Sequence, residues 1–200
     1  MCSFVYLASQ SPRRQDLLKQ IDVQFRLLAP DRDEDSEALE TLHPGESARR
    51  YVIRVAVLKA GAAVVRLRRR GWPTAPILAA DTTVALDRTV LGKPATQADA
   101  TRMLERLSGR QHRVLTAVAL TDGRRLSWML SESRVTLCEL SARTIRSYVA
   151  SREPFDKAGG YAIQGRAAAF VRQVSGSFSG VVGLPLCETA QLLREYQVRF

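Results

Sequence analysis

Apolar residues in this chain recur in two periods. A short apolar run, Phe4-Val5-Tyr6-Leu7-Ala8, is too brief for a helix and predicts a buried strand. Similar runs predict strands at 77–80, at 84–86 and 90–91 around the Asp87-Arg88 turn, at 113–121 and at 128–137. The last two alternate and are separated by Thr121-Asp122-Gly123-Arg124, which predicts an antiparallel hairpin. Helical spacing predicts helices at 12–20, 46–69, 97–107, 141–150 and 185–195, with Ser141 capping the fourth. No period of 20–50 residues repeats and no Pro/Ser-rich linker divides the chain. The pattern predicts one mixed α/β domain over residues 1–200, with two lobes around a cleft.

Composition narrows the class. Two hundred residues, 46% of them hydrophobic, supply a sizeable core. No transmembrane stretch or signal peptide is expected. Cys2, Cys138 and Cys187 are far apart and suit free thiols in a reducing cytoplasm, with no zinc spacing. His43 and His112 form neither a metal pair nor part of a triad. The net charge of +10 attracts polyanions, but the cations are scattered. The single basic run, Arg66-Leu67-Arg68-Arg69-Arg70, reads as a solvated helix end, and aromatics are not interleaved with the cations. A nucleic-acid-binding module is thereby disfavoured. Only four basic residues are lysines: Lys19, Lys59, Lys93 and Lys157. In an arginine-rich chain, a lysine marks a place for a compact, flexible point charge.

Six segments carry candidate chemistry. In SQSPRR (9–14), Ser11 and Pro12 start a helix, yet Arg13 and Arg14 follow in its first turn. Two cations there oppose the helix dipole unless an anion binds, so the segment reads equally as a helix cap with two solvent-facing arginines or as an anion site whose arginine forks suit phosphate oxygens. In ILAADTT (77–83) an apolar strand ends at Asp81, which places a carboxylate at a strand tip as general base or magnesium ligand. LGKP (91–94) holds Lys93 in a fixed loop without Walker A spacing. The acidic cluster 31–40 could hold a cation through Asp33 and Glu34 or be a solvated loop, and Lys59 in its apolar helix should snorkel or face a cleft. Finally, PFDKAGGYAIQG (154–165) joins a glycine loop to Lys157 and to Gln164, whose amide can read the edge of a base. SGSFSGVVGLPLCET (175–189) reads as a packing turn.

Together SQSPRR, Asp33-Glu34, Lys59, AADTTV, LGKP, DKAGGYAIQG and VVGLPLCET closely resemble the Maf family of nucleoside triphosphate pyrophosphatases. The resemblance implies a Maf/ITPase-like fold: a mixed twisted sheet with flanking helices and two lobes around a central cleft. It further implies house-cleaning hydrolysis of nucleotides to monophosphate and pyrophosphate, with a divalent cation, Mg2+ or Mn2+. By the same resemblance Asp81 is the general base, while its residue type also permits a metal-ligand role, and Glu34 is expected to coordinate the metal. Ser9, Ser11, Arg14, Lys59, Lys93 and Lys157 bind phosphate, while Arg13, Thr82 and Gln164 select the base. Arg13 after SerPro, Thr82 after the Asp and Gln164 resemble the dTTP/UTP subgroup, not the 7-methyl-GTP subgroup with its Trp, Gln and Glu. Gln10 and Ala167-Ala168 depart mildly from the pattern, and neither removes a catalytic group. The expected partner is a nucleoside triphosphate, with CTP and modified pyrimidines as further substrates and neither membrane nor nucleic acid. A homodimer is one option for the assembly. A Maf-like division-control protein without turnover is the competing reading within the family.

Overall fold

The computed structural model describes residues 2–31, 34–35 and 38–200; Asp33, one half of the expected acidic pair, lies outside them. Strand β1 (Val5–Leu7) leads into helix α1 (Pro12–Gln20), strand β2 (Phe25–Leu27) and the long helix α2 (Ala48–Arg69). Then come β3 (Ile77–Leu86), β4 (Thr89–Leu91), α3 (Gln97–Leu107) and the hairpin β5 (Gln111–Thr121) and β6 (Leu126–Leu137). Helix α4 (Ala142–Ala150), β7 (Val171–Ser175), α5 (Phe178–Val182) and α6 (Leu186–Glu195) complete the chain. The strands form one mixed sheet in the order β2-β1-β3-β5-β6-β7, with β4 also paired to β3.

The helix starts follow local capping chemistry. Thr96 and Asp99 close a reciprocal capping box on α3, while Ser47 and Ser141 accept from the backbone N–H three residues on. At α1 the expectation holds for position but not for the bond. Ser11 is the N-cap residue, Pro12 follows it, and no side chain caps the helix.

Alternation along β3 and β5 assigns the two faces of the sheet. Ala79, Ala85, Leu115, Ala117 and Ala119 pack against Tyr51, Val52, Val55, Ala56 and Ala60 of α2. The opposite face holds two apolar clusters. One joins Leu78, Ala80, Val118 and Leu120 to α1 and α6; the other joins Val84, Leu86, Val114 and Val135 to α3 and α4. Thr82 and Thr116, directly paired across the strands, sit at the seam between those clusters.

Two expectations about this region are corrected. The segments 77–80 and 84–86 are a single ten-residue strand, so Asp81 is mid-strand and not at a tip. It is paired with Ala117 of β5 on one side. On the other side β1 leaves after the Leu7–Leu78 pair, and β4 joins only at Val84. Asp81 therefore lies where the sheet opens, which achieves what a strand tip would. The basic run 66–70 is also not simply a solvated helix end. Arg66 is 4% exposed and donates through Nε to both Glu34 carboxylate oxygens at 2.9 and 3.0 Å, while Arg69 and Arg70 pair with Asp31. Asp31 and Glu34 thus neutralise Arg66, Arg69 and Arg70.

Candidate active site

A cleft of about 950 Å³ opens where β1 and β4 part. That volume is in the range of small-molecule sites. It is walled by the start of α1, by α2, β3 and the 92–95 loop, and by the 156–164 and 181–183 segments. Arg13, Arg14, Lys59, Lys93 and Lys157 line it against Glu40, Asp81 and Asp156, so cations exceed carboxylates. Such a wall favours a polyanion. Three of the four lysines thus reach one cleft, whereas Lys19 is a surface residue paired with Asp16.

Asp81 is 6% exposed and points to the α2 side of the sheet. Lys59 Nζ donates to Asp81 Oδ1 at 2.7 Å and to Glu40 Oε1 at 2.7 Å. Lys93 Nζ donates to the other Glu40 oxygen, Oε2, at 2.8 Å. Among the described residues nothing donates to Asp81 Oδ2, which is left to the cleft. Burial pushes the Glu40 carboxyl up, but the charges and hydrogen bonds of Lys59 and Lys93 outweigh it and hold it below the ordinary glutamate value. Tyr51 donates its hydroxyl to the Glu40 carbonyl at 2.9 Å and so anchors the loop. Its own pKa is pushed up to about 12 by burial and by the Asp81 and Glu40 charges.

The other half of the cleft is organised by Arg14. Its Nε donates to the Gly183 carbonyl at 2.8 Å, Nη1 to Ser9 Oγ at 3.2 Å and Nη2 to Thr82 Oγ1 at 3.4 Å. Burial lowers its pKa, opposed by the Asp81 charge. Arg13 has no hydrogen bond or ion pair to the described residues, and lies half-buried at the mouth. Gln164 is exposed on the rim, and Ser11 lines the wall; Ser9 is behind Arg14 and accepts from the Ser11 N–H at 3.2 Å. Lys157 Nζ donates to Asp156 Oδ1 at 2.7 Å. Its loop docks on the other lysine loop through the Gly159 N–H, which donates to the Gly92 carbonyl at 3.0 Å. Gly159 has φ +73°, and a Cβ there would come within 3.0 Å of Val84. Glycine is required at that junction.

Residues 4–196 match the family described as Maf-like protein. The chain belongs to the Maf family. It is 58% identical over 196 residues to the dTTP/UTP pyrophosphatase of Albidiferax ferrireducens, covering 98% of each chain. It is 59% identical over 191 residues to the dTTP/UTP pyrophosphatase of a Polaromonas species, covering 96% of this chain and 95% of that one. The solved structure of the Staphylococcus aureus Ham1 protein is a more distant likeness, with TM-score 0.44 and 11% identity over 98% of both chains.

Within this Maf chain the cleft gathers Ser11, Arg13, Arg14, Lys59, Asp81, Thr82, Lys93, Lys157 and Gln164 from the expected set. Glu34 is not brought there. It is half-buried and paired with Arg66 and Arg69, away from the residues that line the cleft. The carboxylate that faces Asp81 across Lys59 is Glu40, which the sequence reading did not single out. The available signal was the acidic cluster itself, of which Glu40 is the last member. The 175–189 segment, expected only to pack, supplies Val181, Val182 and Gly183 to the wall.

Proposed function

We propose that this protein is a nucleoside triphosphate pyrophosphatase that hydrolyses dTTP and UTP to the monophosphate and pyrophosphate, a house-cleaning activity. The names of its close relatives support the substrate class. The observation that carries the reading is Asp81, a carboxylate with one oxygen held by Lys59 and the other free in a cation-rich cleft. Water attacks the α-phosphorus, Asp81 Oδ2 takes its proton, and pyrophosphate leaves. Lys59, Lys93, Lys157 and Arg13 neutralise the charge that spreads over the phosphates. Arg14 positions Thr82, and Arg13, Thr82 and Gln164 contact the base.

The donor chemistry also fits a divalent cation. Among the described residues no group of three His, Cys, Asp or Glu side chains could cage a metal. Mg2+, however, is commonly held by one or two carboxylates plus substrate phosphates, and Asp81 and Glu40 suit that role. When bound, Mg2+ or Mn2+ would withdraw charge from the phosphate oxygens. Glu40, rather than Glu34, is then the second carboxylate.

The test is Asp81→Asn, assayed by pyrophosphate release from dTTP and UTP. A loss of about 10²–10⁴-fold is expected for removal of a general base. Near-normal release would sink the assignment.

A further inference from the structure

We infer that Thr116, which lies behind the cleft wall, fixes the hydrogen-bond polarity of Thr82 and thereby sets the preference for uracil and thymine over cytosine. The inference rests on the reading above, in which Thr82 contacts the base.

The argument is one of counting protons. Thr116 is 1% exposed and stands directly opposite Thr82 in the β3–β5 ladder. Its Oγ1 is 2.7 Å from the Gly180 carbonyl oxygen. A carbonyl only accepts, so the single Thr116 hydroxyl proton goes to Gly180. The Thr82 and Thr116 hydroxyl oxygens are 3.0 Å apart. With its proton committed, Thr116 can only accept there, so Thr82 donates. Arg14 Nη2 adds a longer contact to Thr82 Oγ1 at 3.4 Å, and a guanidinium has no lone pair to accept in return. Thr82 therefore presents a lone pair, and no proton, to the cleft.

The far end of this relay is held in place. Ser177 caps α5 by accepting from the Gly180 N–H at 3.0 Å. A Cβ at Gly180 would come within 3.2 Å of the Ser131 and Ser177 hydroxyls, so the bare backbone lets this carbonyl approach the sheet. The direction of the chain, from Arg14 through Thr82 and Thr116 to the Gly180 carbonyl, cannot reverse.

A hydroxyl that only accepts reads a base by a donor. Uracil and thymine carry one donor on their pairing edge, the N3–H, between two carbonyls. Cytosine's donor on that edge is the N4 amino group, one position away, so a Thr82 hydroxyl seated against the unprotonated N3 would set two lone pairs against each other and leave both unpaired. Sites that leave a buried polar group unpaired discriminate strongly. Thr116 is thus a positioning residue that acts through Thr82.

The test compares kcat/KM for UTP, dTTP, CTP and dCTP in the full-length protein and in Thr116→Val and Thr116→Ser. The valine variant frees the Thr82 proton to turn toward the cleft. The UTP:CTP ratio is expected to fall at least about fivefold, chiefly through a gain with CTP, and the serine variant to restore it. Should the valine variant fail to fold, Thr116→Ala deletes the same hydroxyl with less crowding. An unchanged ratio, with equal losses on both nucleotides, reduces Thr116 to a packing role and overturns the inference. So does a serine variant that behaves like the valine one. A wild-type protein without preference for UTP over CTP overturns both this inference and the base reading beneath it. A wild-type preference that survives in Thr116→Val overturns the relay alone.

Discussion

Asp81 and Thr82 are consecutive in β3, yet their side chains leave opposite faces of the sheet. Asp81 meets Lys59 of α2, while Thr82 meets Arg14 of α1 and Thr116 of β5. Strand alternation alone produces this division. It can serve a ligand only because the sheet is open beside them, between the end of β1 and the start of β4. In the proposed reading, a substrate reaching around that edge meets Asp81 and Lys59 on one side and Thr82 on the other.

The two faces should therefore separate by mutation. Lys59→Gln removes a donor to Asp81 and to the phosphates, and is expected to lower turnover of every nucleotide alike, by about 10²-fold. Thr82→Val is expected to change the order of nucleotides with a smaller effect on the best substrate. A nucleotide panel assayed for pyrophosphate release decides. A Lys59 variant that selectively loses dTTP would contradict the division.

Glu34 and Glu40 should fail in different ways. Glu34 is the main partner of the buried Arg66, whose other acceptor is the Leu28 carbonyl. Glu34→Gln leaves a buried cation short of its counter-charge, a loss of about 3 kcal/mol or more. A lower melting temperature is expected, with the Mg2+ requirement unchanged. Glu40→Gln is expected to melt near the wild type and to need about tenfold more Mg2+ for half-maximal turnover. Titrating activity against Mg2+ and melting both variants checks the pair, and the reverse pattern would return the metal role to Glu34.

Much of this was legible along the chain, and the misses share a cause. All five predicted helices stand within two residues of their expected ends, because caps such as Ser141 and Thr96 are local signals. The hairpin of β5 and β6 was equally local, set by alternation and a turn. Three-residue β2, and β7 with its mostly exposed positions, carry too little pattern to stand out. Lys59, Lys93 and Lys157 could be nominated singly, but their convergence depends on the sheet order. Glu34 was misplaced for the same reason. No spacing rule says that Glu34 will fold onto Arg66, 32 residues on, and leave the cleft to Glu40.

Acid should destabilise the fold in two windows. His112 is 2% exposed, with Nε2 2.7 Å from the Tyr161 hydroxyl. Burial lowers its pKa from 6.5 to about 4. Between those values the unfolded chain binds a proton that the folded one refuses, so stability falls as pH drops through the window, by up to ~3 kcal/mol. Glu46 acts lower down. Its bidentate pairing with Arg54 lowers its pKa from 4.5 to about 2, and the stability it contributes above 4.5 is lost as pH falls through that range. Melting temperatures from pH 7 to 4.5 are expected to fall more steeply for the wild type than for His112→Phe. Parallel curves would remove His112 as the source.

Two glycines give opposite expectations for the same substitution. Gly61 lies on the exposed face of α2, with nothing within 4 Å of a built Cβ. Gly61→Ala should raise stability by about 0.5–1 kcal/mol, since alanine loses less backbone freedom in a helix. Gly159 has φ +73° and would drive its Cβ against Val84 at 3.0 Å, so the same change strains the backbone and forces two loops apart. A cost of about 1–3 kcal/mol is expected. The separation would also move Lys157 away from Lys93, because the Gly159 N–H to Gly92 carbonyl bond joins their loops. Gly159→Ala should therefore raise KM for the nucleotide as well as lower the melting temperature, whereas Gly61→Ala leaves KM alone. If Gly159→Ala melts lower but binds nucleotide normally, the docking of the two loops is structural and does not set the phosphate site.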